Sequence, residues 1–267
     1  MTGKLLRPTL GLILLLTVMT SADAQWDIGV KGGISIPNLT AGGSQQNPLN
    51  TGYSSRFGPD FGVSGEYRFT KLFSLEAAVE YSSQGGKKNG FQAFTPPPEL
   101  AAYFEEQNMT VPPYLYANYK SEAKLNYLMI PVLAKVGWDL GPQSPFRFYV
   151  AAGPFLGILL SAKQVTSGNS IVYLDAAGTE PLPAGSQSFD QTTNIKDQLN
   201  TVNFGIDGHI GLSYALCHSK QQHLFVEAGG NYGFLNIQKG TANGKNNTGA
   251  AVATIGYSHS IGKHKKS

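Results

Sequence analysis

Charge in this sequence sits on one side of a two-residue repeat, and that pattern restricts the fold more than any other feature. From Trp26 to Ile36 the even positions read Trp26, Ile28, Val30, Gly32, Ile34, Ile36, and the odd ones Asp27, Gly29, Lys31, Gly33, Ser35. Period-two alternation is the mark of a β-strand whose two faces meet different surroundings. The same alternation runs through Phe61–Phe69, Phe73–Tyr81, Phe204–Tyr214, Leu224–Phe234 and Ala251–Ile261. Two central segments, Leu128–Trp138 and Phe146–Leu160, are more apolar on both phases but still alternate around Lys135, Gly137, Arg147 and Gly153. These segments give eight strands. Their apolar phase carries no Asp, Glu, Lys or Arg, while the other phase holds Asp27, Lys31, Asp60, Glu66, Arg68, Glu76, Glu80, Lys135, Arg147, Asp207 and Glu227.

Periodicity does not say which phase faces inward, so the orientation is read from position and residue type. Apolar-phase aromatics gather at strand ends: Trp26, Tyr67, Phe69, Phe73, Trp138, Phe146, Phe148, Tyr214 and Tyr257 at one rim, and Phe61, Tyr81, Phe204, Tyr232 and Phe234 near the other. Two aromatic girdles suit a barrel that crosses two membrane interfaces. The connections alternate accordingly. Pro37–Pro59, Gly86–Ser121 and Ser161–Val202 are long and Asn236–Thr248 is moderate, whereas Thr70–Leu72, Asp139–Pro145 and Cys217–His223 are short. In outer-membrane barrels the short turns lie on the periplasmic side and the longer loops outside. The expected fold is an all-β, eight-stranded antiparallel transmembrane up-and-down β-barrel, with ten strands as the alternative if a long loop folds into an added hairpin. A three-residue turn pairing Phe69 with Phe73 puts Val63 opposite Val79 and Phe61 opposite Tyr81.

Composition narrows the remaining classes. The chain has 267 residues with 41% hydrophobic and a single Cys, which excludes a disordered chain and a disulfide scaffold. A net charge of +3 gives no basis for nucleic-acid binding. Lys4 and Arg7, then the apolar run Leu10–Met19, then Ala22-Asp23-Ala24 read as a signal peptide over residues 1–24, cleaved before Gln25. The barrel domain is expected over 25–262, followed by a basic tail at 263–267, and the location is the bacterial outer membrane.

Four stretches, in order, resemble one family. Leu125-Asn126-Tyr127-Leu128-Met129-Ile130-Pro131-Val132-Leu133-Ala134-Lys135 looks like the Y-L-x-I-P-L-L-x-K strand of the PorT-like outer-membrane β-barrel proteins of the Bacteroidetes. Phe148–Pro154 resembles their Y-x-x-x-G-P strand, Phe204-Gly205-Ile206 the F-G strand, and Val226–Ile237 the E-A-R-Y-x-x-G-L-x-N-I strand. The resemblance spans roughly Trp26 to Gly262 and implies an outer-membrane barrel, with a link to protein secretion for the named family member. Gly229 stands where the family has Arg, and Met129 where Glu is frequent.

An eight-stranded barrel has an interior that side chains can fill, so no solute pore is expected. Glu66, Arg68, Glu76, Lys135, Arg147, Asp207 and Glu227 are the expected inward charge network, structural rather than catalytic. The long second loop carries Pro96-Pro97-Pro98, a short helix over Glu99–Glu106, and Tyr103, Phe104, Tyr114, Tyr116 and Tyr119, which are either a surface for a protein or glycan or a self-packed lid. No cofactor, metal or catalytic set is expected. Outer-membrane lipid is the expected environment, and a protein partner would meet the loops or the periplasmic turns. Two rivals differ in class: a lipid A-modifying barrel enzyme, and a secreted soluble lipocalin-like binding barrel with an apolar lumen. For the first, His259 is flanked by Ser258 and Ser260, but adjacent residues point to opposite faces. His209 beside Asp207 reads as a structural hydrogen bond.

Overall fold

A computed structural model describes residues 25–41, 47–216, 221–240 and 243–261. The expected signal peptide, Cys217 and the basic tail lie outside the described residues. Eight long strands form a closed ring: β1 (Gln25–Ala41), β2 (Gly58–Arg68), β3 (Phe73–Phe94), β4 (Leu115–Asp139), β5 (Phe146–Ser167), β9 (Val202–Ala215), β10 (Gln222–Gly233) and β11 (Asn246–Ile261). Each pairs antiparallel with its neighbours in this order, and β11 returns to β1 from Trp26↔Ile261 to Ala41↔Asn246. Three further strands, β6 (Asn169–Tyr173), β7 (Pro181–Ser188) and β8 (Gln191–Asn194), stay outside the ring. β6 and β7 form a hairpin that touches β4 at Tyr116↔Tyr173, and β8 pairs with the outer end of β5. The long third loop therefore does hold a hairpin, but it adds to the sheet beyond the ring rather than making a ten-stranded ring.

The first turn has the expected register, with Val63 opposite Val79, Phe61 opposite Tyr81 and Glu66 opposite Glu76. The apolar phase faces outward: Ile206 and Ile210 are each 51% exposed and Val226 50%, while Glu66 is 8% exposed and Glu76 3%. Trp26, Phe73, Trp138, Phe146 and Tyr214 are exposed at one rim, and Phe61, Phe204, Tyr232 and Phe234 at the other. A soluble core turned inside out in this way would be unstable in water.

The ring interior has two storeys. One holds the ionic side chains. The other, toward the long-loop end, is apolar and contains Leu39, Leu125, Tyr127, Met129, Phe155, Leu159, Leu199 and Ile237. This explains why the two central segments are apolar on both phases: one phase of β4 and β5 lies on the outer surface and the other builds this plug. A bulge where Asn126 pairs with Ser161 but Tyr127 with Leu159 shifts the phase of β5, bringing Ala162 inside.

The sequence reading placed loops where the structure continues strands. Crossing a bilayer takes about 9–11 tilted residues, yet β3 and β5 have 22 and β4 has 25. Lys87, Lys88, Asn89 and Gln92, read as loop, still pair with β4 at Glu122, Ser121, Lys120 and Ala117. Polar residues on both faces end an apolar alternation without ending the backbone ladder. The helix α1 (Pro98–Glu106) follows, with proline in its first turn.

Candidate functional site

The ionic storey is built by strand alternation and by glycine. Wherever a large side chain enters the lumen, the strand beside it tends to have a glycine at the paired position. A Cβ on Gly211 would fall inside the Tyr149 ring, one on Gly205 against Phe155, one on Gly256 inside the Phe225 ring, and one on Gly229 against His209. Gly211 pairs with Tyr149, Gly205 with Phe155, Gly256 with Phe225 and Gly229 with His209. Gly229, the position where the resembled family has Arg, thus makes room for a different base.

Two lysines tie the acids together. Lys135 Nζ lies 2.8 Å from Glu66 Oε2 and 2.9 Å from Glu76 Oε2, and 3.9 Å above the centre of the Tyr149 ring. Lys31 Nζ lies 2.7 Å from Glu80 Oε1 and 3.5 Å from Glu227 Oε2. Tyr149 donates its hydroxyl to Glu227 Oε1 at 2.8 Å, and His209 Nε2 stands 3.2 Å from the same oxygen. Arg68 bridges Asp27 Oδ2 at 2.6 Å and Glu66 Oε1 at 3.2 Å, and Ser260 donates to Asp27. Charge-assisted bonds of this kind are what offset removal of ions from water.

Of the seven expected network residues, Glu66, Arg68, Glu76, Lys135 and Glu227 come together in this web. Asp207 sits at its margin, 3.9 Å from His209 Nδ1. Arg147 stands apart at the short-turn rim, bonded to Asp139 Oδ1 at 3.1 Å and donating to the Lys71 carbonyl at 2.7 Å, where it ties two turns together. Tyr149 was missed by the sequence reading, although a tyrosine on the charged phase of β5 is the signal that would have identified it. Among the described residues, Glu76, His209 and Glu227 have ligand atoms within 4.8 Å of one another. The carboxylate oxygens of Glu76 and Glu227 already face Lys135, Lys31 and Tyr149, so the two acids are arranged as ion pairs. Ser258 and His259 pair with adjacent β1 residues, Gly29 and Ile28, and face opposite sides.

The loop aromatics are split by the structure. Phe104 is 1% exposed and Tyr119 6%, which corrects their placement on a binding surface. Phe104 anchors α1 on Leu115, Val172 and Leu182, and the Tyr119 ring stacks on Phe189 at 4.5 Å. Tyr103 packs at the edge of this cluster, Tyr116 stacks with Phe91 at 6.0 Å, and Tyr114 is half-buried. The cluster forms because α1 is too short to be stable alone and is held by its apolar side chain. Nothing in the local sequence showed which aromatic would turn inward.

The first long loop is docked by a buried arginine that the sequence reading did not single out. Arg56 Nε lies 2.6 Å from Glu122 Oε1, and its Nη1 donates to Ser83 Oγ and to the Gln84 carbonyl. Partial burial raises the Glu122 carboxyl, but Arg56 and Lys124 outweigh it and hold the group below its usual value. Beside this loop, a cavity of about 290 Å³ opens above the apolar plug.

Three solved barrels are similar to most of this chain. OprG from Pseudomonas aeruginosa is 12% identical, covering 91% of this chain and 99% of its own, with a TM-score of 0.38. Ail of Yersinia pestis is 9% identical over 89% and 99%, with a TM-score of 0.36. Neisserial surface protein A is 16% identical over 87% and 96%, with a TM-score of 0.34. No curated protein matches the chain. The model of the outer membrane protein beta-barrel domain matches residues 20–239. An eight-stranded closed ring, an apolar exterior and a charged interior agree with that match, and the chain belongs to the outer membrane protein beta-barrel domain family.

Proposed function

We propose that the protein is a non-enzymatic, transmembrane outer-membrane anchor with a closed lumen, which holds a folded platform outside the cell for interaction with partners. The observation that carries this reading is the filled interior: Lys135 and Lys31 each link two carboxylates across the ring, and an apolar plug closes the long-loop end. Such a lumen leaves no solute path. The signal peptide over residues 1–24 delivers the chain for export, and the termini and short turns face the periplasm. The outer parts of β3, β4 and β5, with β6 to β8 and α1, are the platform. The four stretches that resemble PorT-like proteins support placing the chain in that branch. A role in secretion would act through the platform or the periplasmic turns.

The test is electrical. Refolded protein added to a planar bilayer is expected to give no steady ohmic conductance, although it inserts and shifts its gel migration on boiling. A stable open channel with the conductance of a water-filled pore would overturn the closed-lumen reading.

A further inference from the structure

The cavity above the apolar plug is walled by the first loop, by the outer ends of β3, β4 and β5, and by the segments around Leu199 and Ile237. Its volume of about 290 Å³ falls at the lower edge of the ~300–1,000 Å³ range of ligand pockets. Leu39, Leu125, Ile195, Leu199 and Ile237 give it an apolar floor, and Gln92, Gln164, Gln198 and Gln238 add amides to the wall. Among the described lining residues there is no acid, and the only charged side chain is Lys88.

Lys88 is 8% exposed. Its ammonium donates to the Leu49 carbonyl at 2.7 Å and the Pro48 carbonyl at 3.3 Å, and lies 4.6 Å from the centre of the Tyr53 ring. Carbonyls and a ring solvate a cation only partly, and a buried charge is fully stabilised when a counter-charge meets it. Burial pushes this ammonium down from the ordinary lysine value to about 8, so the site favours either loss of the proton or arrival of an anion. The contrast with the lumen is direct. Every lysine there faces two carboxylates, whereas this one faces an acid-free cavity with an apolar floor.

We propose that this vestibule is a binding site for a small organic carboxylate with a compact apolar body, the carboxylate meeting Lys88 and the body resting on Leu125, Leu199 and Ile237. The assignment is independent of whether the lumen conducts. Phenylacetate, with 2-phenylethanol as its neutral counterpart, is a suitable probe pair, titrated calorimetrically into the full barrel in nanodiscs at neutral pH. Phenylacetate should bind saturably with one site per barrel and at least about tenfold more tightly than 2-phenylethanol. Lys88→Met should abolish that preference, and Ile195→Trp, which fills the cavity from a peripheral segment, should remove binding of both probes. Each variant is first shown to keep wild-type heat-shifted gel migration. Absence of saturable phenylacetate binding in the millimolar range, equal affinity for the two probes, or an unchanged preference in Lys88→Met would each overturn the proposal.

Discussion

At Glu227 three donors converge, Lys31 Nζ, Tyr149 Oη and Thr254 Oγ1, and His209 Nε2 stands 3.2 Å away. Removing the carboxylate strands several buried groups at once, whereas removing one donor leaves the acid with others. Glu227→Ala is therefore expected to cost about 3–5 kcal/mol, and Tyr149→Phe about 1.5–3 kcal/mol. Reversible urea unfolding in lipid vesicles measures both. If the two changes cost the same, or if Glu227→Ala is neutral, the ionic web does not hold the interior together. At this scale the sequence was partly readable. Alternation put Glu66, Glu76, Lys135 and Glu227 on the inner face, because side-chain direction in a strand depends only on parity. It did not show that Arg147 would leave the web for Asp139 and the Lys71 carbonyl, because pairing depends on height along the ring as well as on parity.

Among the elements, the best-read were those in contact with the apolar belt, and the least-read were their continuations beyond it. The pairing of β2 with β3 was legible from Phe61, Val63, Val79 and Tyr81, since a slip by one residue would turn every apolar side chain inward. The outer half of β3 and β4 was not, because polar residues such as Lys88 and Ser121 occupy the buried face there, so burial alternates while hydropathy does not. The helix α1 was visible from its prolines and Glu99, but its burial through Phe104 was not, because Leu115, Val172 and Leu182 come from other segments. Phe104→Ala should remove about 3–5 kcal/mol of local packing. Limited proteolysis should then cut between Thr95 and Tyr114 at least tenfold faster than in wild type while the boiled and unboiled gel bands stay unchanged. Loss of the heat-dependent band shift would show that α1 supports the ring itself rather than the platform.

On the scale of the whole molecule, the exposed apolar surface is the face that meets acyl chains. The chain has only two tryptophans, Trp26 and Trp138, both at the short-turn rim and exposed by 54% and 46%. In vesicles containing brominated lipids their fluorescence should fall most when bromine lies near the head groups and least when it lies at the bilayer centre. Equal emission with and without bromine would mean that neither indole touches lipid, and the orientation would fail.

The ring closes where its first strand, β1, meets its last, β11. Lys31 belongs to β1, Glu227 to β10 and Thr254 to β11, so the partners on either side of that seam come from the first and the last strands of the ring. Until the last hairpin of the ring arrives, Lys31 has Glu80 but lacks Glu227, and the leading edge has unspent amides. Hydrocarbon tolerates neither condition. Closure of the ring therefore waits for its last hairpin, which supplies the leading edge with both its hydrogen-bond partners and the remaining counter-charge.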